Sequence, residues 1–126
     1  MTEPPRTVLI VDDSSLSRML LKNLLLERRP GWTILEAASG EQALEIADEH
    51  VPDLITLDIN MPGMGGIEAA KLLKERCPSA QLAVMTANVQ ESVRQRVQSL
   101  GILFVAMVEK PITAAGVDKI LFRFAA

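Results

Sequence analysis

Five short apolar runs, each followed by a stretch with helical spacing, constrain this chain more than any other feature. The runs are Thr7–Val11, Trp32–Ala37, Leu54–Leu57, Gln81–Met85 and Ile102–Val108. Thr7–Val11 is rich in β-branched residues and almost wholly apolar, which is how a strand buried on both faces reads. Asp13-Ser14-Ser15 then supplies capping side chains. From Ser15 to Arg28 the apolar residues Leu16, Met19, Leu20 and Leu24 recur at helical spacing, until Pro30-Gly31 ends the helix. Ser39-Gly40 opens a second helix, Glu41–Glu49, with Ala43, Leu44 and Ala47 inward and Pro52 beyond it. Met61–Gly66 is a loop of proline and glycines. A third helix, Ile67–Arg76, stops before Pro78. Val89, Val93, Val97 and Leu100 form an amphipathic stripe closed by Gly101, and Val117, Ile120, Leu121 and Phe124 form the last one.

Strands separated by helices pair in parallel, with right-handed crossovers and helices on both faces. The expected fold is therefore α/β, a doubly wound five-stranded parallel sheet with five helices. A length of 126 residues suits one domain, 1–126, with Met1–Arg6 as a polar tail. With 48% hydrophobic residues, the chain can build one core and is not of the disordered class. The net charge of -3, with arginines scattered among acids and glutamines, argues against direct nucleic-acid binding. Cys77 is alone, which excludes an internal disulfide and a paired-cysteine metal site. The N-terminus lacks the apolar core of a signal peptide. No run approaches the roughly 18 apolar residues that membrane insertion needs. A soluble, cytoplasmic domain is expected.

In sheets of this kind the ligand site lies beyond the carboxyl ends of the strands. Five residues sit there: Asp12, Asp13, Asp58, Thr86 and Lys110. Each has an ordinary reading when taken singly. Asp58 could cap a turn, Asp12-Asp13 could cap a helix, Thr86 could simply end a strand, and Lys110 could be solvated. Together they point to phosphate chemistry. Three carboxylates in one pocket repel, so a cation is expected, and all-oxygen ligands suit magnesium. Asp58 could then act as a nucleophile, with Lys110 and Thr86 donating to phosphoryl oxygens.

At this point the sequence resembles the receiver domains of two-component response regulators, and in extent the stand-alone chemotaxis type. The match is carried by Val11-Asp12-Asp13-Ser14, Asp58-Ile59-Asn60-Met61-Pro62-Gly63, Met85-Thr86-Ala87 and Lys110-Pro111, and it spans Arg6–Phe124 in the family's order. The resemblance implies a flavodoxin-like strand order, 2-1-3-4-5. It implies Asp58 as phosphoacceptor, and magnesium (manganese as a substitute) held by Asp12, Asp13, Asp58 and the backbone carbonyl of Asn60. Thr86 is the implied switch hydroxyl, Ala87 leaves the acceptor accessible, Lys110 binds the phosphoryl group, and the Lys110-Pro111 bond is cis. Asn60 and Asn88 fall on the two variable positions that set phosphoryl lifetime.

The implied partners are a sensor histidine kinase or phosphotransfer protein and a downstream effector protein, with room for a phosphorylation-dependent homodimer. The message would leave by the last helix, the last strand and the Val89–Leu100 helix. Two departures stand out. The read-out position, usually aromatic, is Met107, and Gly101–Lys110 is about two residues longer than the family pattern. Phe104–Met107 therefore reads either as buried strand or as partner-contacting surface.

Other functions fit less well. An aspartyl-phosphate phosphatase needs a second acid two residues after its nucleophile, where this chain has Asn60. A flavin binder needs a phosphate loop after the first strand, where Asp12-Asp13 would repel the phosphate. A docking-only receiver would not need the complete site. The chain ends just past the last stripe, which fits a free-standing regulator or a module excised from a multidomain regulator or hybrid kinase.

Overall fold

The computed structural model describes residues 5–125 except 62, 64, 88–90, 100 and 102–103. Met1–Pro4 of the tail, Pro62, Asn88, Val89 and Leu100 of the stripe, and 102–103 of the long segment lie outside the described residues. Strands β1 (Thr7–Val11), β2 (Thr33–Ala37), β3 (Leu54–Asp58), β4 (Gln81–Thr86) and β5 (Phe104–Glu109) form one parallel sheet in the order β2-β1-β3-β4-β5. The order reverses beside β1, so the carboxyl ends of β1 and β3 open onto one crevice.

Four helices of ten or more residues accompany the sheet: α1 (Ser15–Arg28), α2 (Gly40–Glu49), α3 (Gly66–Arg76) and α5 (Ala114–Ala125). Within the stretch expected as a helix over Val89–Leu100, the described residues form α4 (Glu91–Gln98), eight residues long. Capping residues start two of the helices as their chemistry predicts: the Ser14 and Ser39 hydroxyls accept hydrogen bonds from the amides of Ser17 and Gln42.

Alternation along the strands divides the core in two. Val8, Ile10, Leu54, Ala83, Met85, Ala106 and Val108 pack with Leu21 and Leu25 of α1 and with Val117, Ile120, Leu121 and Phe124 of α5. Leu9, Val11, Ile55, Leu57 and Leu82 pack with Ala43, Leu44 and Ala47 of α2 and with Ala69, Ala70 and Leu73 of α3. Each fully buried Leu or Ile contributes about 1.5–3 kcal/mol, so the two layers hold the sheet's register firmly.

The structure corrects the expectation for Trp32 and decides two points that the pattern left open. In α1 the helical period is right, and one of its apolar faces is buried. Leu21 and Leu25 are buried, whereas Leu16, Met19 and Leu20 are 59%, 50% and 40% exposed. The helix is apolar on two adjacent faces, and only the sheet beneath selects one. Trp32, expected in the second strand, instead precedes it and packs edge-on against Phe124, 5.7 Å between ring centroids. The described part of the last strand begins at Phe104, and its extra length appears as a register shift. Leu82 pairs with Phe104 and Ala83 with Ala106, so Val105 is the additional residue.

Candidate functional site

The same alternation assembles the site. Asp12 follows Ile10 by two residues, Asp58 follows Thr56, and Lys110 follows Val108, so all three belong on the α1/α5 side of the sheet. Parallel pairing sets their heights, with Val11 opposite Leu57 and the Lys110 amide donating to the Thr86 carbonyl at 2.8 Å.

The result is a compact charge cluster. The Lys110 ammonium donates to Asp12 Oδ2 at 2.8 Å and to Asp58 Oδ2 at 3.0 Å. The carboxylates are nearly buried, with side-chain exposures of 3% and 5%, and the lysine side chain is 16% exposed. Each buried acid also turns its other oxygen to its own loop: Asp12 Oδ1 accepts from the Ser14 amide and Asp58 Oδ1 from the Asn60 amide, both at 2.9 Å. These turns orient the carboxylates by local bonds that form before any ligand arrives. Burial alone would lower the lysine pKa, but hydrogen bonds and charges from Asp12 and Asp58 outweigh it and hold the group above its ordinary value.

Asp13 is exposed at the mouth of the pocket, and oxygens of Asp12, Asp13 and Asp58 lie within 4.8 Å of one another. Three hard oxygen donors at this separation, two of them buried, fit a magnesium ion. Among the described residues the bridging ammonium is the positive charge that the two buried acids hydrogen-bond.

Thr86 is wholly buried at the end of β4, and its hydroxyl accepts a hydrogen bond from Asn60 Nδ2 at 3.2 Å. Asn60 therefore spans the site, with its main chain on Asp58 and its side chain on Thr86. Ala87 is exposed beside it, Met107 is half-buried on β5, and the Lys110-Pro111 bond is cis. His50 is exposed at the end of α2, and Cys77 is buried at the end of α3, both away from the cluster.

Three contributions were missed in the sequence reading. Arg18 donates from one terminal nitrogen to the Asp12 carbonyl at 2.7 Å and from Nε to Glu36 at 3.1 Å, so it ties the turn bearing Asp12 and Asp13 to β2. Its place one helical turn after the Ser14 cap was the available signal. Gly66 begins α3 directly beneath the acceptor, and a Cβ there would lie 2.3 Å from the Asp58 carbonyl oxygen. The glycine-rich loop hinted at this, but not which glycine was essential. The Asn60 side chain's bond to Thr86 joins residues 26 apart and left no local signal.

The chain and its fold are similar to known proteins. Residues 8–121 match the family model described as the response regulator receiver domain. The chain is 41% identical over 87 residues to the chemotaxis protein CheY of Bacillus subtilis, covering 68% of this chain and 71% of that one. It is 39% identical over 90 residues to the nitrate/nitrite response regulator protein NarL of Escherichia coli K12, covering 71% of this chain but only 41% of NarL. Among solved structures, the chemotaxis protein CheY4 of Vibrio cholerae matches with a TM-score of 0.83 at 27% identity, over 96% of this chain and 99% of that one. Among the described residues no helix is long and apolar enough to cross a membrane.

Proposed function

Given that this chain belongs to the response regulator receiver domains of two-component systems, we propose that it is a phosphorylation switch in which Asp58 is the acceptor. Receiver domains are signalling switches rather than conventional enzymes, and an aspartyl phosphate and magnesium are general features of the family. The observation that carries the assignment here is the convergence of two buried carboxylates on one ammonium, at 2.8 and 3.0 Å. Ion pairs buried at this cost are kept for a task more often than for stability.

In the proposed reaction an Asp58 oxygen attacks the phosphorus of a phosphohistidine on a sensor kinase or phosphotransfer protein. The new P–O bond forms as the P–N bond breaks, and the imidazole leaves with that electron pair. Asp12, Asp13, Asp58 and the Asn60 carbonyl would hold magnesium, which supplies positive charge against the carboxylates and phosphoryl oxygens. Lys110 already reaches Asp58, so a phosphoryl group there offers its ammonium a new acceptor. The Thr86 hydroxyl can donate to another phosphoryl oxygen while it still accepts from Asn60. Ala87 leaves the approach open. Loss of the Lys110 bonds to both acids then biases the β4–α4 and β5–α5 connections, and the change leaves by the α4-β5-α5 face, with Met107 as the read-out side chain. A downstream protein recognises that face, either from a free chain or within a longer regulator.

Incubation with magnesium and acetyl phosphate should add one HPO3 unit, stable to acid and labile to base. A mass gain that persists in Asp58→Asn would sink the assignment, as would no gain at all.

A further inference from the structure

Among the described residues β5 is one of the two edge strands of the sheet, the other being β2, and it pairs with β4 alone. The Lys110 amide points to β4, where it donates to the Thr86 carbonyl. Successive residues of a strand alternate, so the main-chain groups of Met107 and Glu109 point outward, away from the sheet. The Met107 carbonyl is not bare: Lys119 of α5 folds over the edge and donates to it at 3.1 Å. A lysine held against an edge strand blocks casual strand pairing.

Beside this edge runs a groove of about 400 Å³, with Val97, Val105 and Met107 among its walls and Arg94, Lys119 and Arg123 around it. No acid lines it among the described residues, although the chain as a whole carries a net charge of -3. The positive charge is therefore local to the groove. Val105, the additional residue of β5, is half-buried and supplies part of its apolar wall.

We infer that this groove receives an extended, acidic peptide segment of the partner protein, which adds to β5 as a sixth strand. An incoming N–H takes the Met107 carbonyl, and the displaced Lys119 ammonium pairs with an acid of the peptide. Alternate apolar side chains lie on Val97, Val105 and Met107, and the remaining acids face Arg94 and Arg123. The inference rests on the switch reading for the identity of this face as the output side; the mode and chemistry of docking come from the edge, its lysine and the charge of the groove.

The test uses the full chain, isotope-labelled, and an end-blocked peptide of alternating glutamate and valine. The expected result is slowed amide exchange and saturable shifts at Met107 and Glu109. Binding should weaken at least about tenfold in the double variant Lys119→Glu, Arg123→Glu, whose two side chains are exposed, so the fold is retained. It should be lost when alternate peptide amides are N-methylated. Equal binding of a lysine-valine peptide, of the N-methylated peptide or to the double variant overturns the inference, as does no binding of the glutamate-valine peptide. A parallel acetyl phosphate reaction separates the two claims. Phosphoryl gain on Asp58 without peptide binding overturns the docking mode alone, and peptide binding without phosphoryl gain overturns the switch reading alone.

Discussion

Replacing Lys110 with methionine keeps most of the side-chain volume but removes the ammonium that bridges Asp12 and Asp58. Two nearly buried carboxylates are then left facing each other with oxygens within 4.8 Å. At that distance and an effective dielectric of about 20, their repulsion is about 3.5 kcal/mol. Removing one partner of a buried pair generally costs about 3–5 kcal/mol. About 3 kcal/mol is therefore expected at neutral pH. For 126 residues, an unfolding entropy of about 0.26 kcal/mol/K turns this into a fall of about 11 °C in Tm.

Calorimetry of the wild type, Lys110→Met, Asp58→Asn and the double variant measures it, and the loss should be much smaller in the Asp58→Asn background, where one negative charge is gone. Magnesium should restore more stability to Lys110→Met than to the wild type; at a hundredfold excess over the variant's Kd its gain is about 2.7 kcal/mol. The pH dependence has a defined sign. The lysine pKa is raised in the folded protein, so its stabilisation is complete below the unfolded value and is lost as pH rises through the folded one. The gap between wild type and variant should therefore hold through neutral pH and close only above the ordinary lysine value of 10.5. A Tm within about 3 °C of wild type, a shift corresponding to less than 1 kcal/mol, would refute the reasoning. So would an equal loss in both backgrounds.

Three further outcomes follow from packing. Gly66→Ala places a methyl group 2.3 Å from the Asp58 carbonyl oxygen; denaturant titration should show a loss of about 1–3 kcal/mol, and phosphoryl acceptance should slow because the acceptor's own backbone must shift. The Thr56 hydroxyl is buried without a hydrogen-bond partner, so Thr56→Val should raise stability by about 1–2 kcal/mol in the same assay. Leu21→Ala, at a site 1% exposed, should cost about 2–5 kcal/mol, whereas Leu20→Ala, at a site 40% exposed, should cost under about 1 kcal/mol.

The fold and the residue types of the site could be read from the sequence because both rest on local patterns. Thr7–Val11 is apolar on both faces and is followed at once by Asp12-Asp13 and the Ser14 cap, so strand, strand end and helix start are all written within nine residues. The same holds for Leu54–Asp58, and for Val117, Ile120, Leu121 and Phe124, which are buried as their spacing predicts. Tertiary structure decided what depends on register between distant segments. It turned α1 so that Leu21 and Leu25, rather than Leu16 and Leu20, meet the sheet, since neighbouring apolar stripes on one helix are equivalent until a partner surface selects one. It placed Arg18 on the Asp12 carbonyl, the Asn60 side chain on Thr86, and Gly66 against the Asp58 backbone. It also inserted Val105 as an extra residue of the edge strand and laid Lys119 across that edge. A strand-end acid can be recognised where it stands in the chain, but its partners are set by strand pairing and helix packing across tens of residues, and no local pattern encodes those distances.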